Sequence, residues 1–129
     1  MALLNQDFIK FDYDTFQIKF TITDATTDLS TYSAWWGVSS AATDTSLVVQ
    51  KATSDWAGFG VSTGISMGNS SATVSLGQAD FGGSGLESGT TYYHELVLSA
   101  TGSESDSVVV ASGDFTVNPS LFTSNTYRP

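Results

Sequence analysis

The chain contains no cysteine, which excludes disulfides, thiolate metal sites and thiol nucleophiles, and leaves the compartment open because such a chain tolerates either redox state. Proline is scarce, at two residues, and only 13% of the chain is charged, so stability has to come from packing rather than from cross-links or ion pairs. Basic residues are scarcer than acidic ones. Four Lys and Arg stand against 13 Asp and Glu, for a formal charge of -9, and Lys10, Lys19, Lys51 and Arg128 are too scattered to make a patch. That balance opposes nucleic acid and anionic membranes as partners. No apolar run approaches a membrane span, and Met1-Ala2-Leu3-Leu4 meets Asn5, Gln6 and Asp7 at once rather than a signal-peptide core. A soluble chain made in a cytoplasm is the expectation.

Catalytic equipment is equally thin. The single histidine, His94, sits at an alternating position within the longest predicted strand, where a base would be poorly exposed, and no nucleophile-elbow motif accompanies it. It reads as a satisfied strand histidine. Carboxylates occur in pairs, Asp12 with Asp14, Asp24 with Asp28 and Glu104 with Asp106, yet none has the spacing, central glycine and closing glutamate of an EF-hand. Asp24 and Asp28 are the best metal candidates, weighed against the plainer reading of a solvated acidic turn. The expectation is a protein that is not an enzyme and needs no cofactor.

Aromatic residues are plentiful: eight Phe, five Tyr and three Trp. At 129 residues the chain has the length of one domain, large enough to bury a core without staples. The organising stretch is Leu86-Glu87-Ser88-Gly89-Thr90-Thr91-Tyr92, where a Leu precedes a Tyr across a Gly-Thr turn at the spacing of a tyrosine corner. In such a corner the ring enters the core while its hydroxyl returns to the upstream backbone, so Leu86, Gly89 and Tyr92 are assigned structural roles. Gly89 is expected to need a positive φ.

Strand periodicity fills in the rest. Phe16, Ile18, Phe20 and Ile22 alternate with Gln17, Lys19, Thr21 and Thr23, the pattern of a half-buried strand. A second strand is predicted over about 31–38, where Trp35 and Trp36 point to opposite faces. Ala34, Trp36 and Val38 share an apolar face, which assigns Trp36 to the core and leaves Trp35 as an exposed aromatic or interface anchor. Leu47–Ala52 carries three consecutive apolar residues, suggesting burial on both faces or a covered outer face. Residues 53–71 form a loop-rich excursion with Trp56 and Phe59, followed by a short strand at 73–76. On the long strand, Tyr92, His94, Leu96, Leu98 and Ala100 line one face and Tyr93, Glu95, Val97 and Ser99 the other. The last strand runs from Ser107 to Val117 with a β-bulge expected at Ser112-Gly113. The fold class is therefore all-β, an immunoglobulin- or fibronectin-like antiparallel β-sandwich of about seven strands. Residues 1–14 are assigned to an N-terminal arm, either an edge strand or a segment docking on a neighbour, 15–118 to the sandwich and 119–129 to a C-terminal tail.

The order of these pieces resembles the small immunoglobulin-like modules of tailed-bacteriophage virion proteins, including the N-terminal module of the baseplate upper protein family. The resemblance rests on Phe16-Gln17-Ile18-Lys19-Phe20-Thr21-Ile22-Thr23-Asp24, Asp28-Leu29-Ser30 before Trp36-Gly37-Val38, and Gln78-Ala79-Asp80. Gly89-Thr90-Thr91-Tyr92-Tyr93-His94-Glu95-Leu96 and Ser112-Gly113-Asp114-Phe115-Thr116-Val117 complete it, over residues 7 to 118. It implies a non-enzymatic virion protein, expected as a capsid decoration or cement subunit, a head-fibre base, or a tail or baseplate accessory. Partners would be major capsid or tail proteins, with homo-oligomers or many copies on a particle, no nucleic acid and no membrane. Candidate interface residues are Phe8, Phe11, Tyr13, Trp35, Trp56, Phe59, Leu121, Phe122 and Tyr127, taken from the exposed aromatics and the apolar arms. The alternative is a carbohydrate-binding module or adhesin, with Trp35 and Trp56 stacking on sugar rings.

Overall fold

A computed structural model of the chain describes residues 8–11, 16–22, 28–41, 43, 46–53, 64–77, 80–81, 85–101 and 106–118. Eight strands lie within them: β1 (Phe8–Phe11), β2 (Phe16–Thr21), β3 (Ser33–Ser39), β4 (Leu47–Ala52), β5 (Ile65–Met67), β6 (Ser71–Leu76), β7 (Thr90–Ser99) and β8 (Val108–Asn118). They form a five-stranded sheet in the order β1-β8-β7-β3-β4 and a three-stranded sheet in the order β2-β6-β5. Every pairing is antiparallel except β1 with β8, which run parallel with Phe8 opposite Phe115. Part of the stretch assigned to an arm thus supplies an edge strand, the plainer of its two readings. In strand order, β2 to β8 fill the B, C, C′, D, E, F and G positions of an immunoglobulin-like sandwich.

The inward residues are those the alternation selects. Ile18, Phe20, Val74 and Leu76 from the smaller sheet meet Ala34, Trp36, Val38, Leu96, Leu98, Phe115 and Val117 from the larger one in a single buried cluster. Trp36 is fully buried and stacks at a tilt on Phe115 with ring centroids 6.1 Å apart. Its indole Nε1 donates to His94 Nδ1 at 3.2 Å, and the His94 ring lies 5.9 Å from Phe20 on the opposite sheet. His94 stands two residues after the corner tyrosine, the place where disulfide-bearing relatives of this fold carry their second cysteine. Phe20, His94 and Trp36 therefore occupy the middle of the sandwich with an aromatic and hydrogen-bonded cluster instead of a covalent bridge.

The corner itself has the required geometry. Tyr92 is buried, its hydroxyl accepts the Glu87 N–H at 2.8 Å, and Leu86 beside it is fully buried. Gly89 adopts φ +79° and donates its N–H to Val117 O at 2.7 Å, closing the turn onto β8. A side chain at Gly89 would meet nothing within 4 Å, so its glycine is required by the backbone angle and not by crowding.

Four local expectations are corrected. The bulge on β8 does not fall at Ser112-Gly113: the register slips between Leu96 opposite Ala111 and Val97 opposite Val109, making Val110 the extra residue. Val110 and Ala111 are consequently both buried, because the slip resets the alternation. On β4 a second slip, between Val38 opposite Val49 and Ser39 opposite Leu47, absorbs the run of three apolar residues. Leu47 is exposed, Val49 enters the core and Val48 packs partly against it, so the strand is an irregular edge and not one buried on both faces. Ser99 is buried although the alternation places it outward, and Ala100 lies exposed beyond the strand. The Ser99 hydroxyl donates to the Asp106 carboxylate and accepts the Thr101 N–H at 3.2 Å, which draws both ends of the hairpin connection over it.

The edge strand β4 also turns a cation inward. Lys51 lies opposite the core residue Trp36 and reaches Asp80 at 3.0 Å, linking the larger sheet to the turn that follows β6. Asp80 is itself placed by accepting the Gly77 N–H at 2.9 Å. An inward charge on an outermost strand discourages edge-to-edge pairing while its partner here keeps it satisfied.

Candidate functional site

The two outer faces of the sandwich differ in chemistry. On the smaller sheet the outward residues are Gln17, Lys19, Thr21, Ser66, Ser71, Thr73 and Ser75, all polar, and Gln17 donates to Ser75 Oγ at 3.2 Å. That is an ordinary solvated face. On the larger sheet the register sets Trp35, Val97 and Val109 in one row across β3, β7 and β8. Val109 is 42% exposed, and Trp35 and Val97 are half-buried. Among the described residues, the opposite sheet carries no such row of apolar side chains on its outer face.

Trp35 is held flat on this face. Its Nε1 donates to Gln50 Oε1 at 3.2 Å on β4, and its six-membered ring lies over Gly37, where a Cβ would come within 2.2 Å of Cη2. Only the missing side chain at Gly37 lets the indole lie there. Ala52, directly opposite Trp35, is buried on the same outer side without joining the inter-sheet cluster. The geometry leaves an aromatic face, fixed at its polar atom, adjoining the two valines.

Beside the row lies a polar pair. The Tyr93 hydroxyl donates to Glu95 Oε2 at 2.7 Å, and Glu95 stands opposite Gly37 on one side and Ser112 on the other. Burial, with the Glu95 hydrogen bond second, raises the Tyr93 pKa above its ordinary value of 10.0, so the phenol keeps its proton and remains the donor. Asp114, opposite Tyr93, is exposed at the end of the same face.

The sequence-predicted residues distribute unevenly over this arrangement. Trp35 stands at its centre. Phe8 and Phe11 bound β1 at the far edge of the larger sheet. Tyr13, Trp56, Phe59, Leu121, Phe122, Tyr127 and Asp24 lie outside the described residues. Asp28 caps a short 3₁₀ turn at Leu29–Thr31, accepting the Ser30 N–H at 2.9 Å, and that bond lowers its pKa below 3.8. Among the described residues no group of three or more His, Asp or Glu side chains is placed to hold a metal ion. Val97, Val109, Gln50 and Glu95 were not singled out by sequence reasoning. The signal available for Val97 and Glu95 was their place on the outward side of the β7 alternation, whereas Val109 was hidden by the bulge.

No protein-family model matches the chain, and no curated protein matches it. Among solved structures it is similar to the NK cell receptor Nkp44, a triggering partner in natural cytotoxicity, at 14% identity and a TM-score of 0.42 over 90% of this chain and 98% of that one. The β-sandwich assignment rests instead on the strand order, the inter-sheet core and the tyrosine corner.

Proposed function

We propose that the protein is a non-enzymatic structural subunit of a bacteriophage particle, a capsid decoration or accessory protein present in many copies, which docks through the outer face of its larger sheet. The observation that carries this reading is the contrast between the two outer faces: one wholly polar, the other bearing the Trp35–Val97–Val109 row. A fixed indole beside aliphatic side chains is the composition of an interface hot spot, since little conformational entropy remains to be lost when it is covered. The phage setting comes from the sequence resemblance. In support of a non-catalytic role, the one histidine is fully buried with Nδ1 engaged by Trp36.

The test is occupancy on purified particles, measured by quantitative mass spectrometry for the wild type and for Gly37→Ala and Val109→Lys. Gly37→Ala forces the Trp35 indole off the sheet, and Val109→Lys places a charge in the row. Both should reduce occupancy at least about tenfold, the loss of one hot spot. Absence of the wild-type protein from particles, or wild-type occupancy by both folded variants, overturns the proposal.

A second reading draws on the flat presentation of Trp35 over Gly37, since a fixed indole face is also what a sugar ring stacks on. Glycan-array binding that Trp35→Ala abolishes would favour it over particle attachment.

A further inference from the structure

The outer face of the larger sheet sets a carboxylate, Glu95, beside its apolar row. Of the lysines in the described strands, Lys19 is on the smaller sheet, Lys51 is turned inward to Asp80 at 3.0 Å, and Lys10 stands on β1 at the far edge of the larger sheet, opposite Val117 in register. The Glu95 carboxylate is also held in place, because the Tyr93 hydroxyl donates to it at 2.7 Å. A positioned, half-buried anion loses less freedom on pairing than a free surface glutamate does. It is screened less by salt as well. The chain's net charge of -9 opposes a second copy of the same surface as the occupant.

Resting on the docking role of this face, we infer that its occupant is a protein surface of complementary chemistry: an arginine or lysine set against Glu95, beside an aliphatic or aromatic side chain that covers the Trp35–Val97–Val109 row. The apolar row supplies the buried contact. Glu95 selects the partner and fixes its register, since electrostatic complementarity governs specificity and association rate more than total affinity. A neutral or acidic surface would desolvate the half-buried carboxylate and leave it without a counter-charge, since the Tyr93 hydroxyl bonds it but does not neutralise it, which counts against such a surface.

The experiment titrates the isotope-labelled full chain with three capped peptides that differ at one position, each with a leucine next to arginine, citrulline or glutamate, followed by NMR. The arginine peptide should shift the Trp35 indole N–H and the Glu95, Val97 and Val109 amides. It should bind about three- to tenfold tighter than the citrulline peptide, with the glutamate peptide weakest. That preference should vanish in Glu95→Gln, which keeps an acceptor for the Tyr93 hydroxyl. If arginine and citrulline peptides bind this face equally, the cationic partner is wrong while the docking face stands. If the peptides shift other surfaces or none, the docking face falls with it. If the same resonances respond to protein concentration alone, the occupant is a second copy and the inference is overturned.

Discussion

Replacing His94 by leucine tests what the buried cluster at the middle of a sandwich without a disulfide contributes to its stability. His94 and Trp36 are both fully buried, and the indole Nε1–H has His94 Nδ1 as its acceptor at 3.2 Å. Leucine roughly preserves the volume, so the principal loss is the hydrogen bond. An orphaned buried donor costs about 1–3 kcal/mol, and losing the ring contact to Phe20, now 5.9 Å between centroids, adds roughly 0.5–1 kcal/mol. The sum is on the order of 2–3 kcal/mol. For a domain of this length that lowers Tm by roughly 6–15 °C, measurable by calorimetry or by chemical denaturation at constant m-value. His94→Gln retains an acceptor of similar reach and should recover about half of the loss. Pairing His94→Leu with Trp36→Phe removes donor and acceptor together, so the double variant should be more stable than the summed single effects by about 1–2 kcal/mol. A His94→Leu protein as stable as the wild type, or strictly additive losses in the double variant, would refute the idea that this buried hydrogen bond between β3 and β7 stabilises the sandwich.

Tyr92→Phe should cost about 1–2 kcal/mol in denaturant unfolding, toward the lower end because the orphaned Glu87 N–H belongs to an exposed residue that water can reach; an unchanged midpoint would remove the corner from the energetics. Gly89→Ala should cost about 1–2 kcal/mol through φ +79° alone, and equal stability with alanine would show that the turn relaxes to a negative φ. The Ser99 hydroxyl, the leading cause, holds the Asp106 pKa below 3.8, so the contribution of this carboxylate is present above its unfolded pKa and is lost as pH falls through the lower folded one. Acid unfolding curves taken below about pH 4 should therefore be flatter for Asp106→Asn than for the wild type, and superimposable curves would discount the bond.

Much of this architecture was legible because strand periodicity and burial are coupled. The choice of Trp36 for the core followed from Ala34 and Val38 sharing its side, and the full burial of Trp36 beside a half-buried Trp35 agrees with that. The corner was readable from Leu86, Gly89 and Tyr92 because its turn requires a residue of special conformation at a set distance from the tyrosine. What periodicity does not encode is where it breaks. Val110 and Val48 are extra residues in slipped registers, and a slip is decided by the partner strand, which lies far away in sequence. The burial of Ser99 was hidden for a related reason: its partner Asp106 lies across the hairpin connection, and no local pattern announces a hydroxyl that caps a loop. The outer row was only partly visible, since Trp35 and Val97 stood out as outward residues while their alignment depended on the register of three strands.

The devices that hold the fold are separate from the surface proposed to act. The Phe20–His94–Trp36 cluster lies between the sheets, the Tyr92 hydroxyl reaches the loop before β7, and Lys51 meets Asp80 at the margin beyond β4. None of them draws on Val97, Val109 or Glu95. A position whose side chain contributes little to joining the sheets is free to be chosen for something else, and an apolar residue on a solvent-facing strand position has to be explained by what covers it or what it meets. Trp35 is the intermediate case, because its indole lies over Gly37 and bonds Gln50 within the molecule while still standing in the row with the valines. The Gly37 gap that receives it ties this presentation to the backbone of β3, whose opposite side anchors Trp36 in the core. One strand thus sets both tryptophans, and the packing that anchors Trp36 in the sandwich also fixes the geometry of the face proposed to dock.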